Sequence, residues 1–98
     1  MRESKFQAGL IKEIKERFKG AIVMKADANY IQGIPDLLIL HKNKWASLEV
    51  KNDPKAHRQP NQDYYVQKMD EMSFSRFINP ENKEEVLDEL ERSFETEG

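Results

Sequence analysis

Asp36 stands thirteen residues ahead of Glu49, and Lys51 follows Glu49 by two. Two carboxylates and a lysine on neighbouring strands can hold a divalent cation and a water against a phosphodiester. Carboxylate oxygens suit hard Mg2+ or Mn2+, whereas zinc would want histidine or cysteine. The chain has no cysteine, and its two histidines, His41 and His57, lack any paired-ligand spacing. Lys51 is expected to stay protonated beside the two carboxylates and to leave them ionised, because opposite charges favour the charged forms. A charged lysine there would act as an electrostatic clamp on a phosphate.

The surrounding segments must put these groups on one face. Residues 36–41 read as an apolar strand and residues 45–51 as its return, with Lys42-Asn43-Lys44 turning the chain. Side chains alternate along a strand, so Glu49 and Lys51 share a face. A two-residue turn at Asn43-Lys44 would pair 36 with 51, and a four-residue turn would pair 36 with 49. Either even-numbered loop brings Asp36 to the same face; an odd one would separate it. An asparagine in the turn suits left-handed backbone.

Upstream, residues 3–19 read as an amphipathic helix with Phe6, Leu10, Ile11, Ile14 and Phe18 at helical spacing, ended by Gly20. Glu3 falls near the centre of that apolar stripe, where a carboxylate is costly unless something uses it. The plainer reading is a frayed first turn in which Glu3 favours the helix dipole. Residues 21–25 form a short strand and 26–35 a loop containing Gly33 and Pro35. After a polar loop over 52–60, a second helix spans about 61–72, with Gln62, Tyr65, Val66, Met69 and Met72 along one stripe. A fourth strand covers 74–78. Asn79-Pro80 reads as N-cap and first residue of a last helix, with Val86, Leu87, Leu90 and Phe94 as its buried stripe. The order α-β-β-β-α-β-α implies an α/β fold, a mixed sheet flanked by helices.

With 98 residues, one compact domain is expected. The longest apolar stretch, Leu37 to Leu40, cannot span a bilayer, and no signal peptide is evident. A soluble, cytoplasmic protein is the expectation. The net charge of −2 hides an asymmetry: residues 1–60 hold 12 Lys/Arg against 7 Asp/Glu, and residues 61–98 hold 4 against 11. A basic working face and an acidic, solvated back would follow. Lys55, His57 and Arg58, in the loop that follows Lys51, are candidates to grip backbone phosphates, with a plain solvated loop as the alternative.

Gly33-Ile34-Pro35-Asp36, Glu49-Val50-Lys51 and Gln62 together resemble the PD-(D/E)XK nuclease superfamily. They look most like its VRR-NUC branch, the virus-type replication-repair nucleases, which are similar to Holliday junction resolvases. The resemblance runs from Glu3 to about Ile78 and leaves the C-terminal helix, about 80–94, outside. It implies a restriction-endonuclease-like αβββαβ core and a role in DNA repair or recombination, in host-cell cytoplasm if virus-encoded. It further implies that Asp36, Glu49 and the Val50 carbonyl bind Mg2+ or Mn2+, with Glu3 completing the site. Lys51 would orient the attacking water, and Gln62 would support the site from its helix. The expected activity is a Mg2+-dependent, structure-selective DNA endonuclease working on branched DNA, Holliday junctions included, as a homodimer. The alternatives are a simple nicking or flap nuclease, and a catalytically silent DNA-binding module on the same fold.

Overall fold

The computed structural model describes residues 2–96. In chain order the elements are α1 (Glu3–Arg17), β1 (Ile22–Lys25), β2 (Leu37–His41), β3 (Lys44–Val50), α2 (Pro60–Met72), β4 (Phe74–Ile78) and α3 (Lys83–Glu95). The fold is α/β, with one four-stranded mixed sheet in the order β1-β2-β3-β4. β1, β2 and β3 run antiparallel in succession, and β4 lies parallel to β3 with α2 in the crossover.

Strand alternation divides the side chains between two layers. Leu37 and Ile39 of β2 and Ala46, Leu48 and Val50 of β3 pack in one core with Phe6, Leu10, Ile14 and Phe18 and with Val86, Leu87 and Leu90 of α3. α1 and α3 therefore cover this face. The opposite face receives α2 over β3 and β4. Beneath α2, the buried Ser47 and Ser75 hydroxyls satisfy each other at 2.7 Å, with the Met69 sulfur 3.7 Å from Ser47. α2 leaves the β1 and β2 half of its face open: Ile22 and Met24 are 58% and 49% exposed.

Two helix boundaries differ from expectation. α1 stops at Arg17, where the Phe18 N–H takes the Ile14 carbonyl; Gly20 (φ +89°) serves the turn beyond. Asn79-Pro80 does not start α3. The Asn79 side-chain oxygen accepts the Glu81 and Asn82 N–H groups, and Asn82 returns bonds to the Asn79 N–H and the Phe77 carbonyl. Those side-chain bonds hold a turn, and the helix begins at Lys83.

The acidic C-terminal helix is also less free than its composition implies. Glu84, Asp88 and Glu91 converge on Arg17 of α1, and Glu89 with Asp70 holds Arg76. Part of the expected acidic back is thus the seam between α1, α3 and β4. Among the described residues no helix is long and apolar enough to cross a membrane.

Candidate active site

The β2–β3 hairpin decides which groups meet. Its turn is Lys42-Asn43, with His41 paired to Lys44 and Leu37 to Leu48. Extended by one position, that register sets Asp36 opposite Glu49, as the four-residue option would. The positive φ falls on Lys42 (57°) and not on Asn43. Asp36, Glu49 and Lys51 therefore share the face that carries α2.

One further step of the register places Pro35 opposite Val50. The Ala26 N–H bonds the Asp36 carbonyl, so the backbone groups of Asp36 point at β1 and those of its neighbours at β3. Pro35 has no N–H to give the Val50 carbonyl. The Val50 N–H bonds the Asp36 carboxylate (Oδ2) at 2.8 Å. Proline before the aspartate thus frees a carbonyl from the ladder, while the Val50 amide fixes the carboxylate beside it.

Glu49 is 3% exposed and lies against Asp36. Burial above all, then repulsion by Asp36 and a hydrogen bond with it, raise the Glu49 carboxyl from 4.5 to about 8. Lys51 pulls in the other direction and does not prevail. Its Nζ is 3.9 Å from Glu49 Oε2, while it donates to Gln62 Oε1 at 2.9 Å and to the His57 carbonyl at 3.0 Å. The expectation that Lys51 would keep both carboxylates at ordinary acidity is corrected: burial and Asp36 outweigh the lysine at Glu49.

Gln62 links Glu49 to Lys51. Its Nε2 donates to Glu49 Oε2 at 3.2 Å, and its Oε1 accepts from Lys51 and from the Gln59 N–H. The reversed amide would aim N–H groups at the ammonium, so the charges fix its orientation. Gln59 and Gln62 form a reciprocal capping box with Pro60 between them, so the helix start also positions the amide. Gly33 presses on the same place. A Cβ there would lie 2.4 Å from the Asn61 Cβ, and its φ is +90°.

Glu3 stands at the start of α1, exposed, within the field of the pair: burial and Asp36 raise its carboxyl, and Lys51 lowers it. It makes no direct bond to Asp36 or Glu49, and among the described residues no three acidic or histidine side chains form a ready-made metal cage. The crowded carboxyls still fit a divalent cation, since a positive charge between them would favour their ionised forms. In the neighbouring loop, Lys55 and His57 are exposed, and the Lys55 N–H bonds Asp53. Arg58 is more committed, lying 3.8 Å over the Phe77 ring and 3.4 Å from Asp63. His41 packs against Phe18 and Phe94 at the far end of β2.

Sequence reasoning missed the His57 carbonyl, the Gly33–Asn61 contact and the capping role of Gln59. Only the last had a local signal, in the spacing Gln59-Pro60-x-Gln62. Comparisons of this chain with protein-family models, with curated proteins and with solved structures found no match.

Proposed function

We propose that this chain is a metal-dependent, structure-selective DNA endonuclease of the PD-(D/E)XK type, acting on branched DNA as a homodimer. The observation that carries the reading is the Asp36–Glu49 pair set in register on adjacent strands, with Lys51 and Gln62 hydrogen-bonded beside it. A structural ion pair would need one acid, not two set side by side against one lysine.

Asp36, Glu49 and the Val50 carbonyl would hold Mg2+ or Mn2+, and Glu3 would approach through water. The bound cation supplies Lewis acidity, lowering the pKa of a water and offsetting charge on the phosphate. The Val50 N–H keeps Asp36 from rotating away. Lys51 has three N–H donors, two of them given to Gln62 and His57. The third is left for a phosphate oxygen, where charge grows as the phosphodiester is attacked. Gln62 keeps the ammonium aimed and anchors Glu49. Lys55 and His57 lie where they can meet neighbouring phosphates. Lys51, Lys55 and His57 suit backbone phosphates and not base edges, so selection by DNA shape is the reading proposed.

A cleavage panel tests this directly. Four-way junction, flap, splayed and linear DNAs are incubated with the protein in Mg2+ and in Mn2+. Preferred cutting of the branched forms, lost with chelator, is expected. Cutting restricted to flaps or nicks would favour the simpler nuclease, and DNA binding without cutting would favour the silent module.

A further inference from the structure

The two edges of the sheet are treated differently. At the β4 edge, the Ser75 N–H is taken by Asp70 and the Phe77 carbonyl by Asn82, so side chains blunt the strand. At the β1 edge, no side chain caps the backbone of Val23 or Lys25 among the described residues. The Ala26 N–H bond to the Asp36 carbonyl sets the parity of the ladder. Residues 22 and 24 direct their backbone groups toward β2, and residues 21, 23 and 25 direct theirs outward. Ile22 and Met24 are the exposed apolar side chains of this edge. They lie on the face of Leu38 and Leu40, their cross-strand partners, which is the face of the Asp36–Glu49 pair.

We propose that a second copy of this chain docks on the β1 edge, in antiparallel pairing centred on Val23. Centring on Met24 would also satisfy the backbone but would leave Ile22 facing Ala26, whereas centring on Val23 sets the two exposed apolar side chains against each other. A twofold axis normal to the sheet preserves its faces, so paired positions must have equal parity. Centring on Val23 pairs 22 with 24 of the other copy and 25 with 21. Val23 then exchanges N–H and carbonyl with its own copy, and each Lys25 N–H meets an Ala21 carbonyl. The Ala21 N–H is already spent on Phe18. Ile22 packs against Met24 twice, and no like charges are set opposite each other. The result is one continuous eight-stranded sheet with both candidate sites on one face. Standard strand spacing and rise put the two Asp36 residues about 25 Å apart.

The contact is small, a four-residue strand and two exposed apolar side chains per copy. It falls below the roughly 1,200 Å2 of a standard interface, so a weak dimer in the micromolar range is expected. The proposal deepens the homodimer of the endonuclease reading, but its test reads assembly, so each can fail without the other.

The chain has no cysteine, which makes disulfide trapping clean. Chains carrying Ile22→Cys and chains carrying Met24→Cys are mixed at about 100 μM and mildly oxidised. Facing positions in a non-hydrogen-bonded pair lie about 4.5 Å apart at Cα, within disulfide reach. Either variant alone would set its thiols about 8 Å apart, so mixed cross-links should exceed self-cross-links at least tenfold. Ile22→Lys with Met24→Lys should be folded, as judged by its melt, and monomeric by light scattering where wild type is dimeric. That variant mixed with Ile22→Glu plus Met24→Glu should regain the dimer. Self-cross-links as abundant as mixed ones, a dimeric Lys variant, or a monomeric wild type that does not cross-link would each overturn the proposal. A dimer that behaves as expected yet cuts no DNA would leave the proposal standing and remove the endonuclease reading.

Discussion

A carboxyl with 3% exposure beside a second carboxyl keeps its proton until a positive charge replaces it, and here that carboxyl belongs to Glu49. Its pKa is raised from 4.5 to about 8, so across that window the folded chain holds a proton that the unfolded chain releases. Metal-free stability is therefore full below about pH 4.5 and declines as pH rises toward about 8. Cation binding displaces the same proton, so apparent Mg2+ affinity should climb about tenfold per pH unit up to about pH 8 and then level off. Melts from about pH 5 to about pH 9, with and without Mg2+, should show the metal increment growing up to about pH 8 and then holding; an increment flat throughout would place the cation elsewhere. Asp36→Asn and Glu49→Gln keep volume and remove a charged ligand. Each should cut turnover at least about 100-fold, some 2.7 kcal/mol of barrier, while DNA binding persists. Full activity in either at saturating Mg2+ would remove the assignment. Lys51→Ala should lower single-turnover cleavage by about 100- to 1,000-fold with Mn2+ affinity little changed by calorimetry. Lost metal binding with surviving chemistry would reverse its role.

At the scale of elements, the hairpin and the start of α2 build the site together, and Gly33 is where they touch. Only glycine tolerates both a φ of +90° and Asn61 at 2.4 Å from a would-be Cβ. Gly33→Ala should cost roughly 1–3 kcal/mol and push the helix start outward, taking Gln62 away from Lys51 and Glu49. Chemical denaturation and cleavage measured side by side should show activity falling further than stability; a stability loss alone would mean that Gly33 serves only the loop. These elements also separate what the sequence could tell from what it could not. Glu49 and Lys51 were legible as one face from strand period, and Asp36 joined them only on the condition of an even loop, which the Lys42-Asn43 turn meets. The order of elements followed from helical and alternating apolar patterns. The proton on Glu49 was not legible, since it depends on burial and on where the Lys51 protons go. Nor was the start of α3, where two asparagine side chains outcompete a proline that marks a helix start elsewhere. The Gly33–Asn61 contact joins segments whose separation in sequence carries no signal.

For the whole molecule, the question is how many sites act in one event. Each chain offers one Asp36–Glu49 pair, and a four-way junction is resolved only by two cuts placed symmetrically about its centre. A twofold pair of sites on one face matches that symmetry, and closed C2 dimers are the commonest assemblies. In such a dimer a Glu49→Gln chain still folds, pairs and binds DNA while its own site is silent. Mixing wild type with a large excess of Glu49→Gln puts nearly every active site beside an inactive one. Junction supplied to this mixture should then accumulate molecules nicked on one strand. Paired cuts should fall roughly as the square of the wild-type fraction, while single cuts fall in proportion to it. A flap or nicked substrate, which needs one cut, should lose rate only in that proportion. Paired cuts that fall linearly with dilution would mean that one chain makes both incisions by rebinding, and the dimer would then have no part in resolving the junction.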